Sequence, residues 1–348
     1  MLHQSSNNLL HVLHCRYPIV GAPMANVSGG RLAASTTAAG GFGFIGAGYG
    51  TADELQGEID HAELDLERSH VHRIPSEDGS GLLAIGIGFI TWNLRNKQEV
   101  LECAIQARPL AFWFSFGDYR PYVSQVRKKI PNAVIFVQVD NLEDALATAS
   151  DKDVDILVLQ GLEAGGHGPK NGSTTFCLIP EVAEALSSKG PLLLAAGGVS
   201  GWRQLAGALS LGAHGVVLGT RLSVAAESLL HPEAKEMIIQ AEEGSRSTIT
   251  TPQIDRLRGE AWDLNRYTAR ALKNKIFNEN PTKISSEEYR NASAQLNFEF
   301  KAIFAGLGVG TITAVEPTKE IISGIVTGYY YNHVQTRQRT EWIPRVRL

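Results

Sequence analysis

The sequence predicts a (β/α)8 barrel, a TIM barrel, and three observations predict it. Eight short apolar runs alternate with longer stretches of helical apolar spacing. The runs are apolar almost throughout rather than at every second residue, the pattern of parallel strands covered on both faces. All eight fall between residues 17 and 230, and that many strand–helix units close into a barrel more readily than they spread into an open doubly wound sheet.

In order, the predicted strands are Pro18–Met24, Gly43–Gly48, Leu82–Phe89, Ala111–Gly117, Val134–Asp140, Asp155–Gly161, Leu192–Gly197 and Gly215–Thr220. Helical spacing between them is clear at Leu101–Ile105, Leu142–Ala149 and Trp202–Leu209. Residues 51–80 read as an acidic helix followed by a polar loop, a solvated decoration between the second and third strands. Residues 231–300 are charged and helical in pattern, with turns at His231-Pro232 and Asn280-Pro281, and predict a small helical lid subdomain. Residues 301–348 then close the barrel, with a final helix over about Thr318–His333. The expected organisation is a barrel at 17–230, a lid at 231–300 and a closing segment at 301–348.

With 43% hydrophobic and 20% charged residues, the 348-residue chain can fill a sizeable core. A disordered tail, a coiled coil and a collagen-like rod are excluded. A net charge of −4 without clustered Lys and Arg argues against a nucleic-acid surface. Cys15, Cys103 and Cys177 lack CxxC spacing, so no disulfide framework or zinc site is written, and a reducing, cytoplasmic location is expected. No apolar run approaches the ~20 residues of a membrane helix. The N-terminus is acid-poor up to Asp53, yet the first strand begins too early for a targeting segment to be expected, and the terminal Arg-Val-Arg-Leu is not a peroxisomal tripeptide. The sequons at Asn26, Asn171 and Asn291 read as chance matches.

The 35 glycines exceed an average share of ~7%, so backbone must come close to something at many places. Gly41-Phe42-Gly43-Phe44-Ile45-Gly46 matches GxGxxG, but a helix precedes it and the glycines lie in an apolar strand, so it reads as a tightly packed barrel strand. More informative are Ala196-Gly197-Gly198 at the end of the seventh strand and Gly219-Thr220 at the end of the eighth. Barrel enzymes place their phosphate site in these two loops, where glycine exposes N–H groups and Thr220 adds a hydroxyl donor. At the sixth strand, Gln160 offers a donor and an acceptor to the edge of a planar heterocycle. Gly165 and Gly166 permit close approach to a flat ring. His167 follows on a glycine-flanked, flexible loop at the catalytic face, suited to act as a base or an anion partner.

Other groups read as structural. His70-Val71-His72 lacks a third metal ligand, His214 lies on the bottom face, Glu163 caps or pairs, and Cys177 packs as a small buried residue. Trp92, Trp113 and Phe116 at strand ends either size a cavity or simply pack.

Ala22-Pro23-Met24, Ala38-Ala39-Gly40-Gly41-Phe42-Gly43, Gln160-Gly161, Glu163-Ala164-Gly165-Gly166-His167, Ala196-Gly197-Gly198 and Gly219-Thr220-Arg221 occur in an order and spacing that resemble the nitronate monooxygenases. The likeness runs over about residues 17–230, with a weaker echo at Asn274 and at Ala305–Gly310. It implies an FMN-dependent barrel that uses dioxygen to oxidise alkyl nitronates, or nitroalkanes, to carbonyl compounds and nitrite. Carried over, Ala22, Pro23 and Met24 line the flavin, Gln160 and Gln138 contact its ring, and Gly165 and Gly166 border it. Gly197, Gly198, Gly219 and Thr220 hold its phosphate. His167 deprotonates a nitroalkane or steadies a nitronate. Leu307 departs from the Gln of many relatives, and Gly168–Gly172 is polar enough to reshape the mouth. The same scaffold resembles FMN-dependent NAD(P)H-quinone and enoyl reductases, and a non-catalytic flavin-binding protein is a further alternative.

Overall fold

A computed structural model describes residues 9–76, 78–186, 190–278 and 285–339. Eight parallel strands form the barrel: β1 (Ile19–Gly21), β2 (Phe44–Gly46), β3 (Leu83–Ile90), β4 (Pro109–Ser115), β5 (Val134–Val139), β6 (Ile156–Gln160), β8 (Leu192–Ala196) and β9 (Gly215–Leu218). Their order is β1-β9-β8-β6-β5-β4-β3-β2, and a parallel bridge from Val20 to Phe42 joins the first pair of strand ends. The fold is the one the apolar runs predict, with strands about as placed but often shorter.

Aromatic rings fill the barrel interior. Phe44 packs edge-on against Trp113 at 5.2 Å and Phe136 at 4.9 Å, while Trp113 and Phe136 stack at 5.6 Å. Room for Phe44 comes from Gly86, where a Cβ would stand 2.1 Å from its ring. The GxGxxG run is packing: a Cβ on Gly43 would meet the Ala33 carbonyl at 2.0 Å, in the helix Gly30–Ala38.

The segment after β2 is no decoration. Ala52–Arg68 is a helix with Thr51 and Glu54 in a reciprocal capping box, and it buries Leu55, Ile59, Ala62 and Leu66. That stripe, spaced at i, i+4, i+7 and i+11, packs on Gly30–Ala38 as part of the barrel's outer ring. Its many acidic residues disguise an ordinary amphipathic helix. Thr318–Arg339 packs on Trp202–Ser210 and on Gly30–Ala38, closing that ring.

The lid segment read as helical is mixed. Strands β10 (Thr248–Thr251) and β11 (Tyr267–Leu272) pair antiparallel, and β11 pairs with β7 (Gly166–Pro169) from the barrel's β6 loop. Short helices, among them Gln253–Arg258 and Ser286–Ala294, complete it. Each strand has six residues or fewer, set among charged residues, so no period-2 run marks it in sequence. The Asn280-Pro281 turn lies outside the described residues.

Candidate active site

One cavity of about 670 Å³ opens at the C-terminal ends of the strands, between barrel and lid. All the residues expected to touch a cofactor line it: Ala22, Pro23 and Met24 after β1; Gln138 on β5; Gln160 on β6; Gly165 and Gly166 beyond it; Gly197 and Gly198 after β8; Gly219 and Thr220 after β9. His167 lines it too. The volume lies within the ~300–1,000 Å³ of small-molecule and cofactor sites.

The β8 exit turns through two left-handed residues in succession, Gly197 at φ +116° and Gly198 at φ +70°, a conformation that glycine takes without strain. At Gly219 and Gly166 a Cβ would meet nothing within 4 Å, so both leave space toward the cavity that a side chain would fill. The Thr220 hydroxyl accepts the Gly306 N–H at 2.9 Å, which orients its own proton for donation elsewhere. Met24 contributes shape rather than a donor, because its N–H goes to Ser28 Oγ at 2.7 Å and Ser28 Oγ returns a hydrogen bond to its carbonyl.

An ordered polar chain crosses four strands beneath this space. Trp113 Nε1 donates to Ser115 Oγ (2.8 Å), Ser115 to Gln138 Oε1 (3.1 Å), Gln138 Nε2 to Gln160 Oε1 (2.9 Å), and Gln160 Nε2 to the His167 carbonyl (3.1 Å). Gln160 therefore has one amide hydrogen and one lone pair left for a ligand.

His167 is not on a flexible loop. It stands in β7, paired with Ala269 of β11, and its carbonyl is held by Gln160. Its ring stacks on Trp262 at 3.6 Å and 3°, and Nε2 lies 2.8 Å from Asp255 Oδ1. Phe304 packs against it at 5.6 Å. Trp113 and Phe116 line the cavity, whereas Trp92 packs outside its lining, against Tyr49 and Trp262. Phe116 holds a left-handed backbone, φ +63°, and wedges between Trp262 and Tyr267. A bulky residue in that region is a rare conformation that clusters at functional sites.

Asp255, Trp262, Arg258 and Phe304 escaped the sequence reading. Asp255, Arg258 and Trp262 lie scattered in the charged segment and Phe304 just beyond it, with no spacing that points to His167.

The structural readings divide. Glu163 accepts from Thr175 N and Oγ1, capping Thr175–Leu186, and His214 Nδ1 accepts from Leu193 N at the bottom of the barrel. Among the described residues no cluster of His, Cys, Asp and Glu suits a metal, and no helix is long and apolar enough to cross a membrane. Cys177 is exposed rather than buried, beside Phe176 at 71% exposure, because its helix turns that side outward and buries Leu178, Ile179 and Val182. Leu307 faces away from the main cavity, into a neighbouring groove, and donates its N–H to the Glu163 carbonyl.

The nitronate monooxygenase family model matches residues 6–64 and 92–328. The chain belongs to the nitronate monooxygenase family. The unmatched stretch holds the polar loop and β3. The nitronate monooxygenase npaC of Metarhizium robertsii is 30% identical, covering 87% of this chain and 88% of the relative. The Neurospora crassa nitronate monooxygenase is also 30% identical, over 87% of this chain and 86% of its own. Among solved structures, FabK of Thermotoga maritima has a TM-score of 0.75 at 24% identity, covering 95% of this chain and 98% of its own. Nitroalkane oxidase of Streptomyces ansochromogenes has 0.74 at 22%, covering 94% and 99%. These two show the shared barrel. The nitronate monooxygenase membership makes the chain an oxidoreductase.

Proposed function

We propose that this protein is an FMN-dependent nitronate monooxygenase that oxidises alkyl nitronates, and nitroalkanes after deprotonation, to carbonyl compounds and nitrite at the expense of dioxygen. The observation that carries the reading is convergence. The glycine exits of β8 and β9, the Gln138–Gln160 amides and the His167 ring all face one cavity.

The residues present fit a flavin mononucleotide. Gly197 and Gly198 bring bare backbone to the phosphate, Gly219 leaves it room, and the Thr220 hydroxyl has its proton free to donate. Gln160 turns its remaining amide hydrogen and lone pair to the ring edge, held by Gln138 and the His167 carbonyl. Ala22, Pro23 and Met24 supply a wall whose shape is set by the Ser28 bonds. When bound, the flavin supplies two-electron chemistry and a route for those electrons to dioxygen.

The substrate face is shared by barrel and lid. Trp113 and Phe116 from the barrel and Trp262 and Phe304 from the opposing segments shield the space from water, which strengthens any charge interaction within it. His167 takes the α-proton of a neutral nitroalkane, or as imidazolium pairs with a nitronate.

The test is stoichiometry: oxygen consumed and nitrite released from propyl-2-nitronate, compared with NADPH oxidation in the presence of a quinone or an enoyl thioester. Nitrite formation supports the proposal, and NADPH-driven reduction without nitrite replaces it with a reductase. His167→Asn is expected to keep its flavin and to lose neutral-nitroalkane turnover by about 10²–10⁴-fold. Preformed nitronates should be affected far less. Equal losses on both substrates would remove His167 from the role of base.

A further inference from the structure

We infer that Asp255 is the positioning residue for His167: it holds the Nε2–H, fixes the tautomer and leaves Nδ1 as the atom that receives the substrate proton. The inference rests on the reading of His167 as the base and adds which nitrogen acts and what orients it.

The geometry has three parts. Asp255 Oδ1 lies 2.8 Å from Nε2, and the carboxylate is 1% exposed. An ionised carboxylate only accepts, so Nε2 carries the hydrogen and the lone pair sits on Nδ1. The ring cannot swing away, being stacked at 3.6 Å on Trp262 and anchored through the β7–β11 pairing.

The charges around the ring favour this assignment. Arg258, three residues beyond Asp255, is answered by Glu260 at 2.8 Å, and Tyr49 donates to the same Glu260. Tyr289 lies near Asp255, Arg258 and Glu260, and burial, aided by the two carboxylates, pushes its hydroxyl above the usual phenol range. Lys301 lines the cavity with Nζ over the Phe298 ring. On the barrel side the neighbour is the neutral Gln160. Asp255 is thus the anion that faces the imidazole directly, and its Oδ2 has no hydrogen-bond partner. That second oxygen leaves its negative charge incompletely compensated until an imidazolium forms beside it.

The proton step balances without an added reagent. The substrate C–H bond breaks, its electron pair stays on the substrate as the nitronate, and an N–H bond forms at Nδ1. The imidazolium then carries both ring hydrogens against Asp255. A preformed nitronate needs no such step, which gives the inference its signature.

The experiment uses the flavin-loaded protein with 15N-labelled histidine. NMR of the wild type is expected to show His167 with a protonated Nε2 and a bare Nδ1 at neutral pH and above; the opposite tautomer would overturn the inference without any variant. D255N is expected to mix the tautomers, because an amide can either donate to or accept from the ring nitrogen it faces. It should retain flavin, lose neutral-nitroalkane kcat/KM by about 10²-fold, and keep nitronate turnover within about threefold. D255E should restore part of the loss. A wild-type tautomer in D255N, or equal losses on both substrates, would reduce Asp255 to a structural residue. If H167N spares neutral nitroalkanes, the base reading falls while the tautomer result still judges Asp255.

Discussion

The barrel mouth and the lid sheet face each other across one cavity, and they are built on opposite principles. The mouth is built on backbone: Gly197 and Gly198 turn left-handed after β8 and Gly219 leaves open space after β9, while its side chains, Gln138 and Gln160, are tied into a chain of amides. The lid acts through side chains, with Trp262 and Asp255 clamping an imidazole between a ring face and a carboxylate. The first design suits the cofactor proposed to sit there, because a phosphate and a ring edge are the same in every turnover. The second suits the proton transfer proposed for His167, which depends on one atom of one side chain. The boundary between the two is β7, which follows the barrel's β6 loop and pairs with β11 from Gly166 to Pro169.

Substitutions on either side should separate these roles. The largest effect is expected at the mouth. Gly198→Asp would place a carboxylate, and a β-carbon at φ +70°, where a phosphate is proposed to bind. Purified protein should emerge with flavin occupancy reduced by at least about a hundredfold, the scale of a like-charge clash worth several kcal/mol. Far-UV circular dichroism should be unchanged. Full flavin retention would remove the phosphate from the β8 exit.

A middling effect is expected at the seam. A Cβ on Gly165 would stand 2.5 Å from the carbonyl carbon of Ala305, so Gly165→Val forces the lid's closing segment away from the barrel loop. Overpacking of about 1–3 kcal/mol predicts a melting temperature lower by about 3–8 °C. Turnover should fall, and because Gly165 lines the cavity where the flavin ring is proposed to lie, flavin occupancy should fall too, though less than in Gly198→Asp. Flavin and turnover both at wild-type levels would remove Gly165 from the ring's border.

The smallest effect is expected far from both. His214 at the barrel's bottom is kept neutral by burial, which lowers its pKa, and its Nδ1 accepts from Leu193. A lowered histidine pKa means that the native state binds fewer protons than the unfolded chain. This contribution is therefore intact above pH 6.5 and is lost as the pH falls from there through the folded value. His214→Gln keeps an acceptor without that titration. Between pH 7.5 and 5.5 its melting temperature should fall about a degree less than that of the wild type, with activity ratios unchanged.

The contrast also explains what could be read in advance. Barrel strands were legible because each is a near-continuous apolar run, and the residues proposed to hold the phosphate could be named because glycine and Thr220 mark the ends of those runs. The lid's β10 and β11 were not, because four to six residues with Arg270 in their midst carry no alternation. Nor does Gly166-His167-Gly168-Pro169 look like a strand; it becomes one only because β11 supplies partners for its backbone. Asp255 and Trp262 reach His167 from 88 and 95 positions downstream, a distance that only the folded lid closes. The acidic helix Ala52–Arg68 was misplaced for the opposite reason, its charges hiding a regular apolar stripe.

The most direct test of the central claim is an anaerobic visible spectrum of the purified protein before and after addition of propyl-2-nitronate. The account predicts a bound flavin whose absorbance bleaches on mixing, with nitrite and recovered absorbance once air is readmitted. A flavin that ignores the nitronate and bleaches with NADPH would contradict the proposed reaction. Failure to bind FMN at all would contradict the assignment of the glycine exits.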